Sequence, residues 1–429
     1  MEAVCPWQLQ IPALGWMVRM VFRSGRAFRG LGLVLVAVLA VGCGAPGGIR
    51  QTVSAPGAAH RSSVPSRVAA VPANLQGFRM VTPDAGAAVS LSMLYQTTDG
   101  GRTWTPVRPI TNAASLFPGP QGSILLVTMR RVAGSRLQLT TGVGVPDRPW
   151  TFRTAVLTLA IQTSGGYPSL HCSLRTPAAA WCLFASGGGM QLDASQLWQT
   201  VNAGANWTAL GTAKTPPGTV ESGLKGRPVW TTPEDGWLTA STLVTVSGAL
   251  VTPVLYQTVD GGAQWAPDEI PAPSFSGTPG TLGLSSLTPV PGGSAWAMVA
   301  TTANAAGTVT RLTVLRSTGP NASWIPVGRS LRLVGLVPDA HLFVTGPRVW
   351  WLWTGQSLYR TVDAAQTWES VSLPSRLRAK LHDGAVGYMA DFLNASTGWI
   401  LLQNPNGSNV LWHLTRQTWQ AWVPQVRPR

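Results

Sequence analysis

A phrase of the form Leu-Tyr/Trp-Gln/Arg-Thr-x-Asp-x-Gly-x-x-Trp recurs along the chain and constrains the fold more than any other feature. Its four best copies begin at Leu94, Leu197, Leu255 and Leu358. A period of roughly fifty residues is typical of propellers and related repeat architectures. The start of each copy alternates in polarity as a strand does, and Asp-Gly-Gly favours a tight turn. Each copy therefore predicts a β-hairpin.

The residues of this phrase that recur from copy to copy have structural roles. The Asp or Asn side chain can accept backbone N–H bonds across the turn, Gly can take a positive φ, and Trp can pack over the turn. The residues assigned to these roles are Thr97, Asp99, Gly101 and Trp104; Thr200, Asn202, Gly204 and Trp207; Thr258, Asp260, Gly262 and Trp265; and Thr361, Asp363 and Trp368. The phrase thus indicates a fold and carries no catalytic function.

Ser/Thr-x-Asp-x-Gly-x-x-Trp resembles the Asp-box, or bacterial neuraminidase repeat, of a class of β-propellers. That resemblance implies that the box lies on the turn between the third and fourth strands of each blade, at the outer rim. With its Gly-Trp strands, the chain is most similar to the photosystem II assembly-factor-like propellers and related exported bacterial proteins. In that family a seven-bladed propeller binds a protein client, so the resemblance, which covers most of residues 76 to 424, implies a client here.

The number of repeats predicts the number of blades. Degenerate copies end at Trp150, Trp324 and Trp419, which brings the count to seven, with the second unit the weakest and six or eight as alternatives. An upstream strand headed by Trp completes about four strands in several units, for example at Trp237 and Trp399. We therefore expect an all-β, seven-bladed propeller of four-stranded antiparallel blades. The twenty tryptophans are interpreted as blade core, with a sugar-stacking platform as the alternative for a few.

The N-terminal segment predicts export. Four arginines precede an apolar run from Leu31 to Val41 that is too short to span a bilayer and fits a signal peptide over residues 1–42. Leu39-Ala-Val-Gly-Cys43 resembles a bacterial lipobox, although Ala40 departs from the commonest residue, and it predicts lipidation of Cys43; an ordinary secretory signal is the alternative. Met17 or Met20 is an alternative start. Residues 43–75 read as a disordered tether, 76–424 as the propeller and 425–429 as a basic tail, anchored outside the bacterial cytoplasmic membrane or in the cell envelope.

Removal of the leader leaves two cysteines, Cys172 and Cys182, besides the lipidated one. An exported compartment permits a disulfide between them, and two buried thiols are the alternative. No cluster of His or Cys accompanies them, so no metal site and no cofactor are predicted.

The chain is strongly basic, with a formal net charge of +15 carried almost wholly by arginine. The predicted partners are a protein client or an anionic cell-envelope polymer, together with the membrane through the lipid anchor. A GC-rich genome is a compositional alternative. Scattered arginines and the absence of a binding motif argue against nucleic acid, and a monomer is expected.

Acidic residues suited to catalysis are few. A sialidase-like reaction needs a Tyr nucleophile, and Tyr95, Tyr256 and Tyr359 belong to the repeat, which leaves Tyr167 and Tyr388. Asp339, Asp383 and Asp391 are interpreted as solvated loop residues, and the five histidines have no ligand spacing. The main hypothesis is a non-enzymatic, membrane-tethered scaffold that recognises its partner through an arginine-rich face. The alternative is a propeller that binds or hydrolyses glycans.

Overall fold

The computed structural model describes residues 71–72, 74–110, 114–161, 168–185, 195–210, 224–243, 251–268, 270, 282–285, 287–291, 295–303, 309–319, 322–335, 337, 340–382, 387–403 and 409–427. All of them belong to one compact unit, Arg67–Arg429. The predicted signal peptide and Cys43 lie outside the described residues. Within the described part of the chain, no helix is long and apolar enough to cross a membrane.

The described residues form seven sheets of four or more strands, antiparallel within each blade, so the predicted seven-bladed propeller is confirmed. Blade 1 follows β1 (Val71–Pro72) and contains β2 (Gly77–Met80), β3 (Gly86–Val89), β4 (Met93–Thr97) and β5 (Thr103–Pro109). Blade 2 contains β6 (Ala114–Pro118), a 3-10 turn (Pro120–Gly122), β7 (Ile124–Ala133), β8 (Arg136–Gly144) and β9 (Thr151–Thr158). Blade 3 contains β10 (Ser169–Leu174), β11 (Ala180–Ala185), β12 (Ser195–Thr200) and β13 (Thr208–Leu210).

In blades 4 and 5 the first strand is split into two short pieces that pair with the same neighbour. Blade 4 contains β14 (Leu224–Lys225), β15 (Val229–Trp230), β16 (Gly236–Leu243), β17 (Val251–Thr258) and β18 (Ala266–Asp268). Blade 5 contains β19 (Leu282–Leu284), β20 (Thr288–Pro289), β21 (Trp296–Ala303), β22 (Val309–Ser317) and β23 (Ile325–Val334).

The last two blades are separated by a short helix. Blade 6 contains β24 (His341–Val344), β25 (Trp350–Trp353), β26 (Leu358–Thr361) and β27 (Glu369–Val371), and α1 (Ser375–His382) follows it. Blade 7 contains β28 (Gly387–Asn394), β29 (Thr397–Gln403), β30 (Asn409–Thr415) and β31 (Thr418–Trp422), before the final β32 (Gln425–Val426).

Tryptophans fill the spaces between blades, as the repeat predicts. Those near the start of the second strand of their blades are at most 4% exposed: Trp181, Trp237, Trp296, Trp350 and Trp399. The tryptophans that close the repeats vary more, since Trp104 and Trp324 are fully buried whereas Trp150, Trp207, Trp265, Trp368 and Trp419 are half-buried. Burial of such large apolar surfaces is the main favourable term in the stability of the ring.

The repeated turns join third to fourth strands and are held by their own side chains. In blade 1, Thr97 Oγ1 donates to Asp99 Oδ1 at 2.9 Å and accepts from the Gly101 N–H at 3.0 Å, while Asp99 Oδ1 accepts from the Thr103 N–H at 2.9 Å. The turns beginning at Thr200, Thr258 and Thr361 repeat this pattern. The blade 6 copy keeps it with Ala365 at a φ of 67°, where blade 1 has Gly101 at 90°. The side-chain bonds therefore define the turn even without glycine.

The ring is closed by both ends of the described chain at the outer edge of blade 1. Strand β32 pairs in parallel with β5, and β1 pairs with β32. Both closing strands lie just outside the limits of 76 and 424 predicted from the sequence. Arg427 strengthens the contact, since its backbone N–H donates to Trp104 O at 3.0 Å and its guanidinium lies 3.2 Å from Asp99 Oδ2.

The junction of blades 7 and 1 contains a partly buried histidine, His413. Its ring stacks on Trp399 at 4.7 Å and meets the edge of Trp422 at 5.4 Å. Burial, and next the charge of Arg102, lowers the pKa of His413 to about 4, while Asp84 opposes the shift.

Acid is expected to destabilise the protein through His413. The unfolded chain takes up this proton near pH 6.5 and the folded protein only near pH 4, so the stabilisation is full above about 6.5 and is lost as the pH falls to about 4. Allowing for the partial exposure of the ring, the loss is about 1 kcal/mol. Denaturant unfolding of His413→Phe between pH 4 and 7 should show a flatter dependence than the parent protein. His382→Phe, at the exposed end of α1, is the control, and identical slopes for parent and His413→Phe would contradict the assignment.

Candidate functional site

The first strands of all seven blades surround a cavity of about 700 Å³ at the centre of the ring. Such a volume lies within the range of small-molecule sites. The residues of the repeated turns are not among those that line it, in agreement with their structural role. The cavity is therefore the candidate site, and its charged residues determine what it can bind.

Opposite charges meet where the last blade adjoins the first. Arg79 on β2 lies with its Nη1 3.7 Å from Oδ1 of Asp391 on β28. The other carboxylate oxygen of Asp391 accepts a hydrogen bond from the Met80 N–H at 2.8 Å. The interpretation of Asp391 as a solvated loop residue was wrong, because the structure places it on a first strand with 9% of the residue exposed.

Burial also changes the acidity of Asp391. It raises the pKa of the carboxyl above its usual range, whereas Arg79 and the backbone N–H groups of Met80 and Phe392 act in the opposite direction. Removing a carboxylate from water disfavours its charged form more than this single cation and these donors favour it. Acidification therefore neutralises Asp391 before an ordinary exposed aspartate and makes the cavity more positive.

A second cation, Arg227, enters the cavity from the break between β14 and β15. Its Nε is buried without a hydrogen-bond partner, and no ion pair involves it within the described residues. Burial, and next the positive charge of Arg79, lowers the pKa of Arg227 to about 10, so it stays protonated at neutral pH. A cation in a partly desolvated site, with no ionic partner among the described residues, is unfavourable and attracts an anion.

His171 on β10 also lines the cavity and lies close enough to Arg227 to be affected by its charge. Burial lowers the pKa of His171, and the charge of Arg227 contributes. The imidazole is therefore neutral at pH 7 and can donate from one ring nitrogen and accept at the other. The next residue along β10, Cys172, forms a disulfide with Cys182 on β11, the pair predicted from the sequence.

The cavity is suited to binding an anion rather than to hydrolysis by paired carboxylates. Arg79 and Arg227 supply two positive charges, and Asp391 is the one acid among the described residues that line the cavity. Glycoside hydrolysis ordinarily uses two carboxyl groups on either side of the bond that breaks. No group of three or more His, Cys, Asp or Glu with metal-binding geometry occurs in the described segments.

Several candidates named from the sequence lie elsewhere. Tyr95, Tyr256 and Tyr359 belong to the third strands β4, β17 and β26, as the repeat predicts. Tyr167, Asp339, Asp383 and the side chain of Tyr388 lie outside the described residues. No motif in the sequence points to Arg79 or Arg227, although aligning the first strands of the repeats would have placed both beside the axis.

The similarities of this chain to known proteins are distant. No protein-family model and no curated protein matches the sequence. Among solved structures, the chain is similar to an α-L-arabinofuranosidase of Fusarium graminearum (13% identity, 70% of this chain and 91% of the other, TM-score 0.41). It is also similar to an ulvan lyase (8%, 82% and 96%, 0.48). A third is a lectin of Aleuria aurantia (11%, 80% and 91%, 0.36). At these identities and TM-scores, none of the three bears on the activity of this chain.

Proposed function

We propose that this protein is a non-enzymatic binding propeller that takes an acidic sugar, free or at the end of a glycan, into its axial cavity. The observation that carries the proposal is Arg227, a protonated guanidinium that lines the cavity with a buried Nε and no described ionic partner. Arg79 stands beside it with its charge only partly compensated by Asp391. A carboxylate or sulfate on the ligand would neutralise this pair.

The size and lining of the cavity favour a sugar over a folded protein client. A volume of about 700 Å³ admits a small molecule or the end of a chain. Polar groups of Ser115, Thr288 and His171 can bond hydroxyl groups, and Phe78 and Phe343 supply apolar contact. This geometry supports the glycan-binding alternative better than the client-binding scaffold.

Export and anchoring remain predictions from the sequence. We propose that Cys43 is lipidated and that the residues between Cys43 and β1 tether the propeller outside the cytoplasmic membrane. The Cys172–Cys182 disulfide is compatible with such an oxidising compartment. A tethered propeller of this kind would hold acidic sugars of the envelope or its surroundings near the cell.

Loss of the Arg227 charge is expected to weaken binding of acidic sugars. Arg227→Gln should lower the affinity for glucuronate or N-acetylneuraminate by about tenfold or more, the value of a lost charge-assisted hydrogen bond. Isothermal titration measures this directly, with glucose as the neutral probe. Because Arg227 forms no ion pair with any residue that the structure describes, the variant should fold at least as well as the parent. Arg329→Gln, at an exposed position on β23, is the matched control and should bind normally.

The same titration tests the role of Asp391. Asp391→Asn should strengthen acid binding by about threefold at pH 7, since it removes a negative charge from the cavity. The parent protein should bind more tightly as the pH falls, because protonation of Asp391 and of His171 makes the cavity more positive; Asp391→Asn should lose part of that gain. Equal binding of glucose and glucuronate, or no effect of Arg227→Gln, would contradict anion binding. Release of a cleaved product from an aryl glycoside would overturn the non-enzymatic proposal.

A further inference from the structure

Blade 2 has a sheet face that its neighbour covers only in part. Strands β7 and β8 are 10 and 9 residues long, whereas β3 and β4 of blade 1 have 4 and 5. Rows of residues that pair across β7, β8 and β9 show where blade 1 stops covering this face. The row Leu126, Gly142 and Phe152 packs against blade 1 in a common apolar cluster. The side chains two residues further along each strand point to the same face and lie progressively in solvent.

The uncovered part, here called the open face, consists of Arg130, Arg136, Gln138, Thr140, Thr154 and Val156. Arg130, Arg136 and Thr154 are exposed, and Val156 is 47% exposed. The opposite face of the same strands is buried against blade 3 through Met129, Leu137 and Leu157. One side of the sheet is thus core along its length, and the other becomes a polar surface.

Three guanidinium groups follow the open face. Arg108, from blade 1, lies 4.4 Å over the Phe152 ring at its base. Arg130 stands two rows beyond, where its Nε donates to Gln138 Oε1 at 2.9 Å, and Arg136 is one row further. Since two residues of a strand span about 7 Å, the three charges extend over about 20 Å. None of the three is in an ion pair with any described residue, and no described acid occupies the open face.

From this juxtaposition we propose that the open face binds a linear anionic polysaccharide laid along the strands of blade 2. The arginines match its carboxylate or sulfate groups. Gln138, Thr140 and Thr154 can form hydrogen bonds with its hydroxyl groups. The Oγ1 atoms of the two threonines are 3.1 Å apart. The proposal is separate from the axial cavity, because the open face shares no residue with the cavity lining.

Other occupants fit the open face less well. Protein interfaces rely on buried aromatic anchors and their pockets, and apart from its two arginines the open face presents threonine, glutamine and one valine. Insertion into a membrane needs large apolar side chains, whereas the hairpin tip is Val132-Ala133-Gly134-Ser135. Flat, hydroxyl-rich and basic surfaces suit an extended polar chain.

Binding of polygalacturonate and dextran sulfate by the full chain tests the proposal, with neutral dextran of equal length as the blank. Arg130→Gln/Arg136→Gln should weaken polyanion binding by about fivefold, the value of two exposed charge contacts. Arg329→Gln/Arg332→Gln removes the same charge from exposed positions on β23 and should change binding by less than about twofold. A second variant, Val156→Glu, places a negative charge within the open face and should also weaken binding.

The outcomes separate this site from the cavity and from a membrane. Arg227→Gln should leave polymer binding intact, and Arg130→Gln/Arg136→Gln should leave titration with glucuronate intact. Equal loss in both double variants would show that net charge alone attracts the polymer and would overturn the proposal. Binding to phosphatidylglycerol vesicles that depends on Arg130 and Arg136, without polysaccharide binding, would overturn it in favour of a membrane surface.

Discussion

Replacement of Trp399 by alanine is expected to lower the free energy of unfolding by about 3–5 kcal/mol, the usual cost of deleting a buried indole. Trp399 on β29 has no exposed surface, and its Nε1 donates to the carbonyl of Gly100 at 2.9 Å. That carbonyl belongs to the repeated turn of blade 1, so the Trp399 side chain forms a hydrogen bond between the last blade and the first. Alanine would leave a cavity and an unpaired carbonyl at the junction of blades 7 and 1, where the ring closes.

Urea unfolding of Trp399→Ala, Trp399→Phe and Trp368→Ala measures the effect. Phenylalanine retains most of the apolar volume and loses the N–H bond, so it should cost about 1–2 kcal/mol. Trp368 closes the blade 6 repeat and is half-buried, and its removal should cost less than that of Trp399. A loss below about 1 kcal/mol for Trp399→Ala would mean that the ring tolerates an open junction.

Local patterns made the repeated turns predictable. Thr97 bonds to both Asp99 and Gly101 within five residues, and equivalent residues make the same bonds in the other turns. The number of blades follows, because each turn marks one sheet. The second repeat, whose sequence matches the pattern least, was also located correctly, since Trp150 immediately precedes the fourth strand of blade 2. Here the interactions that define the structure lie close together in sequence.

Ring closure depends on contacts that no local pattern encodes. Strands β1 and β32 have two residues each and pair across almost the whole propeller sequence. Periodicity is meaningless over two residues, and Val71-Pro72 and Gln425-Val426 have no repeat to mark them. Their pairing arises because the seven blades bring both ends to the same edge.

The candidate site was missed for a related reason. Asp391 lies 311 positions from the Met80 N–H that it accepts from, and its acidic side chain suggested a solvated loop. In the ring, the first strand of every blade turns toward the axis, so polar residues of distant repeats converge there. The chemistry at each position was visible, whereas its burial and its neighbours required the closed ring.

Removal of the disulfide should produce the other large effect on stability. Cys172 and Cys182 are direct cross-strand partners on β10 and β11, and neither has exposed surface. Cys172→Ala/Cys182→Ala should lower the free energy of unfolding by about 2–3 kcal/mol, because the unfolded chain regains the freedom of a short closed loop. Alanine suits the surrounding apolar cluster, which contains Phe184 and Trp198.

Reduction supplies the control for this variant. With dithiothreitol present in the denaturant, the parent protein also unfolds without its cross-link, and its stability should approach that of the double alanine variant. A gap that persists under reduction would indicate lost packing rather than a lost cross-link.

The same variant separates the stability of blade 3 from its contribution to the cavity. Strands β10 and β11 share six residue pairs, which hold the backbone of His171 in register with or without the sulfur bond. Glucuronate affinity should therefore change by less than about twofold, even as stability falls. If glucuronate affinity fell together with stability, the disulfide would be needed to position His171. Binding in the cavity would then depend on the redox state of Cys172 and Cys182.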